Sequence, residues 1–143
     1  MLGSLGLAWG LPVAAGQHDE ALATLADFVD ILIPADGYSP SASALKVHLR
    51  IWQQAEQRPL LERFIRKGCL WLDRQSRGQF TSLPPHQKQA LMQWMSRQPE
   101  SSYPFQLFNR LRHDAMGFYY SHPDSWKGLA ISQPPQPHGY KEI

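Results

Sequence analysis

Apolar residues recur along this chain at steps of three and four, the period that gathers side chains on one face of a helix. From about His18 to Ile33, Leu22, Leu25, Val29 and Leu32 form a stripe, with Ala26 and Ile33 beside it. Asp19 and Glu20 fall in the first turn, where negative charge complements the helix dipole. Pro34 ends this helix, and Pro34-Ala-Asp-Gly-Tyr-Ser-Pro40 is a loop by composition. A second helix is predicted from about Ser41 to Ala55, capped by Ser41 or Ser43. Ala44, Val47, Ile51 and Ala55 line one side of it, and Leu45, Leu49 and Trp52 line another. A helix apolar on two sides is central or faces two neighbours.

Pro59 opens a third helix whose inner face is Leu61, Phe64, Ile65, Gly68, Cys69 and Leu72. Gly68 costs about 1 kcal/mol in propensity against alanine, so it marks a close helix crossing. Gly78 ends the segment. Thr81 or Ser82 caps a fourth helix with Ala90, Leu91, Trp94 and Met95 as its apolar face. Residues 97–102 read as a polar loop. In the fifth helix, Tyr103 to Ser121, one face carries Phe105, Phe108, Leu111, Ala115, Phe118 and Tyr119. Pro104 suits its first turn and Pro123 stops it. The first half of this helix reads as core. From Gly117 onward no obvious cover exists for Tyr119, Tyr120 and Trp126, which makes the exit a candidate partner surface. No alternating run long enough for a strand and no internal repeat is present. The expected fold is all-α: a compact bundle of about five helices over residues 17–122, with two ends of different character.

Residues 1–16 carry no charged side chain. Their apolar run of about ten residues is too short for a bilayer, which needs about 20. It has the length of the hydrophobic part of an export signal, and Val13-Ala14-Ala15 resembles a cleavage site, but the usual positive start is missing. An export-signal remnant and an N-terminal arm both fit. Residues 123–143 form a Pro/Gly-rich tail in which Trp126, Leu129, Ile131 and Tyr140 are interleaved with Pro134, Pro135, Pro137 and Gly139. Prolines hold such a segment extended, with little entropy to lose on docking, whether on its own helices or on a partner.

Composition narrows the function classes. The chain has 143 residues, 43% of them hydrophobic, enough for one buried core. Fourteen basic and twelve acidic side chains give a formal charge of +2, too balanced for a nucleic-acid binder. Basic residues gather between Arg58 and Arg77, but mixed with Glu62 and Asp73, which reads as a solvated face. The single cysteine, Cys69, excludes an intrachain disulfide and paired-thiolate zinc sites, and reads as a buried structural thiol.

No phosphate loop, zinc helix or serine elbow is present. His113 and Asp114 are neighbours on a helix and point in different directions. His18, His48, His86 and His138 have no ligand spacing. Asp36, in a proline-bounded loop, is the most interesting carboxylate. With His122 and Asp124 at the last helix exit, it defines the alternative reading: a small helical enzyme with an acid/base or metal site. That reading requires the three side chains to converge in one pocket.

Three stretches, in order, carry a family likeness. Leu32-Ile-Pro-Ala-Asp36 is an apolar helix end followed by Pro-x-Asp. Phe80-x-x-Leu83 precedes Gln87 and Leu91. Gly117-Phe-Tyr-Tyr-Ser-His-Pro123 leads into the Gly/Pro-rich end. In these the chain resembles the gluconate 2-dehydrogenase subunit 3 family, the small (gamma) subunits of membrane-associated FAD-dependent sugar and sugar-acid dehydrogenases. It departs from that pattern at Ser39-Pro-Ser-Ala42, where the family usually continues threonine-proline-glycine-alanine. It also has no arginine before Arg50, whereas members commonly begin with a twin-arginine export signal. The resemblance implies a non-catalytic periplasmic subunit that supports export, maturation or stability of a large flavoprotein. It implies FAD in that large subunit and haem c in a cytochrome c subunit, no cofactor in this chain, no nucleic-acid partner, and membrane association only through the complex. The candidate partner-binding residues are Pro34, Asp36, Tyr119, Tyr120, Pro123 and Trp126.

Overall fold

Prolines set most of the helix boundaries. The computed structural model describes residues 15–129, which form α1 (Ala15–Leu32), α2 (Val47–Glu56), α3 (Pro59–Gln75), α4 (Pro85–Ser96) and α5 (Tyr103–Tyr120). A 3₁₀ turn at Phe80–Ser82 precedes α4, and a terminal 3₁₀ segment, Pro123–Leu129, follows α5. No strand occurs among the described residues. α3, α4 and α5 each carry proline in the first turn, where its missing N–H leaves no helical acceptor unsatisfied. Ser102 caps α5 by accepting the Phe105 N–H at 3.4 Å. No helix among the described residues is long and apolar enough to cross a membrane.

α2 is the shortest helix and packs against α1, α3 and α5, the central placement its two apolar sides predict. α4 closes the bundle against α1 and α5. The core runs from Leu25, Phe28 and Val29 through Val47 and Ile51 to Ile65, Leu72, Met95, Leu107 and Leu111, all fully or almost fully buried. Phe28 contacts the rings of Phe80 and Phe108 at its centre. Asp73 Oδ1 accepts the Phe80 N–H at 2.9 Å, which seats that ring under α1. Gly68 marks a close crossing, as its place in an otherwise regular stripe implies. A Cβ there would lie 2.5 Å from Leu107 Cδ1.

Several faces are rotated from the expected ones. On α1 the buried set is Ala21, Thr24, Leu25, Phe28 and Val29, continued by Ile33 just past its end, so Leu22 and Leu32 are only half-buried. On α4, Met92 and Met95 point inward, while Ala90 and Trp94 are exposed. On α5, Leu107 is buried and Phe105, Phe108 and Phe118 lie at the edges. Spacing alone fixes which residues share a face, not which of two adjacent apolar stripes meets the neighbours.

Two boundaries also differ. Residues 42–46 form turns rather than the start of α2, because Lys46 is left-handed at φ 62° and Ser43 is held by Asp30. α4 starts from Pro84 with no side-chain cap, since Thr81 and Ser82 belong to the 3₁₀ turn. At the end of α3, Gly78 N–H reaches Asp73 O at 3.2 Å and Arg77 N–H reaches Arg74 O at 3.2 Å. These are the paired bonds of a Schellman motif, and the left-handed residue in it is Arg77 at φ 56°, not Gly78.

Candidate partner-binding surface

The loop after α1 is built by one carboxylate. Pro34 ends the run of donors, and Asp36 Oδ1 then accepts the N–H groups of Tyr38 at 2.8 Å and Ser39 at 2.6 Å. Asp36 N–H donates to Ser39 O at 3.0 Å and closes the turn. The two backbone donors, Tyr38 first, hold the Asp36 carboxyl below the usual carboxylate range. Further on, Ala42 N–H returns to Ile33 O at 3.1 Å, and both oxygens of Asp30 are used by the N–H and hydroxyl of Ser43. A loop of proline, glycine and small residues is thereby fixed at both ends.

The exit of α5 is fixed against this loop. Tyr119 is buried, and its hydroxyl donates to Pro40 O at 2.7 Å. Burial first, and the nearby Tyr120 and Asp36, push its pKa up, while a Ser39 hydrogen bond opposes them. Pro123 was expected to begin an extended tail; instead Pro123–Leu129 turns back as 3₁₀. The reason is local satisfaction of the carbonyls freed at the helix end. Trp126 is buried, and its indole N–H donates to Tyr120 O at 2.9 Å. Ser125 donates twice to His122 O, and Ser39 Oγ donates to Ser125 O at 3.4 Å. Gly128 lies against Tyr38 so closely that a Cβ would sit 2.5 Å from Tyr38 Cβ, so only glycine fits. Arg50 of α2 braces the same corner, stacking over Phe118 and donating to Ser121 Oγ at 3.3 Å.

Segments about eighty residues apart in sequence thus form one corner of the bundle. Of the candidate residues, Pro34, Asp36, Tyr120 and Pro123 are exposed. Tyr119 and Trp126, expected to lack cover, are covered by the chain itself and shape the corner from beneath. Tyr38, passed over in the sequence as loop, is 78% exposed, and Tyr120 is 54% exposed. Its signal was the flanking pair of turn residues, Gly37 and Ser39, which leaves an aromatic ring nowhere to go but outward.

The three residues of the alternative reading each make local contacts. Asp36 is occupied by backbone donors. His122 Nδ1 accepts the Asp124 N–H at 3.1 Å, and Asp124 pairs with Lys127 at 3.0 Å. Among the described residues no three His, Cys, Asp or Glu side chains group as a metal site. Elsewhere His113 is exposed, while its neighbour Asp114 is buried and pairs with Arg110 at 2.7 Å.

The model of the gluconate 2-dehydrogenase subunit 3 family matches residues 19–133, which include the whole of this corner. The chain belongs to the gluconate 2-dehydrogenase subunit 3 family. No curated protein and no solved structure matches it. Membership makes the chain a subunit of a multi-subunit dehydrogenase, and the family match runs from the first turns of α1 past the terminal 3₁₀ segment. Residues 1–14 and 130–143, with the cleavage-like Val13-Ala14 and most of the proline-rich tail, lie outside the described residues.

Proposed function

We propose that this subunit is a non-catalytic partner of a large FAD-dependent sugar or sugar-acid dehydrogenase subunit, and that it supports the export, maturation or stability of that flavoprotein in the periplasm. The family match over residues 19–133 carries this reading. In it, FAD belongs to the large subunit, a cytochrome c subunit takes the electrons, and this chain supplies contact surface alone. We place the contact at the corner built by Pro34–Pro40 and the α5 exit, because it is rigid beneath and aromatic above. Tyr38 and Tyr120 offer large, stiff rings of the kind enriched at the centres of interfaces.

The test is co-expression of the subunit with a large FAD-dependent sugar or sugar-acid dehydrogenase subunit from the same genome, followed by co-purification. Tyr120→Ala and Tyr38→Ala are expected to weaken recovery of the FAD-containing partner about thirtyfold or more each, the range of an interface hot spot. Both side chains are exposed, so the fold should survive, and circular dichroism checks that it does. Full recovery of the flavoprotein with the double variant would refute the placement at this corner. Failure of the unaltered subunit to associate at all would refute the accessory reading itself.

A further inference from the structure

α3 turns one edge to solvent along its whole length. Leu60, Arg63, Lys67, Leu70 and Arg74 succeed one another at steps of three and four, and Arg77, left-handed past the helix end, lines the same groove as Leu70 and Arg74. All six are exposed, Leu60 at 79% and Leu70 at 56%. Single exposed leucines need no explanation. Two of them in one row with four cations do.

No carboxylate lies on that line. The acids of α3 lie beside it and are both engaged: Glu62 pairs with Arg66 at 2.7 Å, and Asp73, at the edge of the groove lined by Leu70, Arg74 and Arg77, accepts the Phe80 N–H. The mixture of charges read in sequence as a solvated face therefore sorts in three dimensions into a stripe whose own charges are all positive and a flank where Glu62 and Asp73 are held by Arg66 and the Phe80 N–H. Aromatic rings edge the stripe. Trp71 stacks on Trp94 with ring centroids 6.3 Å apart, and Trp94 is 48% exposed. Lys67 Nζ lies 5.1 Å from the centre of the Tyr103 ring.

We infer that the outer face of α3 docks on an anionic lipid bilayer. Four exposed cations, with the neighbouring acids Glu62 and Asp73 engaged by Arg66 and the Phe80 N–H, complement a negatively charged surface. The leucines choose among such surfaces. A bilayer places an apolar layer just beneath its charged one, and Lys and Arg can lay their stems on the first while their ends reach the second. Nucleic acid and acidic protein surfaces offer the charge without that layer at every leucine. Half-exposed tryptophan suits the same boundary, with its ring in the apolar region and its N–H in the wet one. The contact is peripheral and made by this chain itself, where the family resemblance implied membrane association only through the complex; it uses residues separate from the Tyr38–Tyr120 corner and does not rest on the accessory-subunit reading.

The experiment is co-sedimentation of the full chain with vesicles of phosphatidylcholine, with and without phosphatidylglycerol. Binding is expected only with phosphatidylglycerol, falling as salt is raised. Arg63→Gln, Lys67→Gln and Arg74→Gln should each weaken it about fivefold. Leu60→Ser with Leu70→Ser should weaken it at least tenfold while leaving the salt dependence unchanged. Arg97→Gln, on another exposed stretch, should change nothing. Absence of binding to phosphatidylglycerol vesicles overturns the inference. So does binding that ignores the α3 variants. Binding that responds to the charge variants but not to the leucine pair overturns the lipid assignment in favour of a purely electrostatic partner.

Discussion

Gly68 of α3 packs directly on Leu107 of α5, and a methyl group tests that contact. In Gly68→Ala the new carbon would stand 2.5 Å from Leu107 Cδ1 and 2.8 Å from Cδ2. Leu107 is fully buried, so it cannot swing aside into solvent. Two effects oppose each other. Alanine is better than glycine inside a helix by about 1 kcal/mol. Overpacking a filled core costs about 1–3 kcal/mol, and a contact this far inside van der Waals distance belongs in the upper part of that range. The net expectation is a loss of about 1–2 kcal/mol. Leu107→Ala alone should cost about 3 kcal/mol, from lost burial and the cavity left behind. In the double variant the Gly68→Ala methyl occupies part of that cavity and keeps its helix propensity, so the total should be only about 2 kcal/mol. The coupling between the two positions is then about −2.5 kcal/mol, near the top of the range for residues in contact. Urea unfolding followed by circular dichroism measures all four corners of the cycle. A Gly68→Ala protein stabilised by about 1 kcal/mol, which is the propensity effect alone, would show that the crossing has room to spare. Additivity within about 0.5 kcal/mol would refute the contact outright.

Arg77→Gly should stabilise the chain by about 1 kcal/mol, because glycine adopts the left-handed conformation at the Schellman position without a Cβ clash; the urea midpoint reads this directly. Alkaline pH should destabilise the fold. Burial first, with Asp73 beside it, pushes the Cys69 thiol up to about 12, and burial, then Cys69, pushes the Tyr103 phenol up to about 12. Folded pKa values above the unfolded ones mean stability that is full below the ordinary thiol and phenol ranges and is lost as pH rises toward about 12. Urea midpoints should fall across that window, less steeply in Cys69→Ala, and native Cys69 should resist a thiol reagent at neutral pH until the chain unfolds. Asp36 should titrate below the ordinary carboxylate range in a carbon-detected NMR experiment, so its share of stability is present above that range and fades as pH falls through the lowered value. An ordinary Asp36 titration would mean that the Tyr38 and Ser39 N–H groups are not held in the turn.

The periodicity of the chain determined its class, the number and order of its helices, and the close crossing at Gly68. These follow from local rules: a repeat of apolar residues at helical spacing, prolines that start or stop a run, and a glycine where a side chain would otherwise serve the helix better. The ordered likeness of Leu32–Asp36, Phe80–Leu83 and Gly117–Pro123 to one family was legible for the same reason, since those stretches are helix ends and turns with fixed chemistry. What sequence could not decide was cover. Tyr119 and Trp126 look stranded beyond the last core stripe, yet the hydroxyl of one and the indole of the other find carbonyls at Pro40 and Tyr120. Tyr38 and Tyr120 have the same composition and end up outside. On α3 the acids and bases are interleaved along the chain and separated only by the helix and its neighbours. Whether an aromatic ring is core or surface, and whether a charge faces a partner or its own backbone, depends on contacts between segments far apart in sequence. Local spacing carries no record of those contacts.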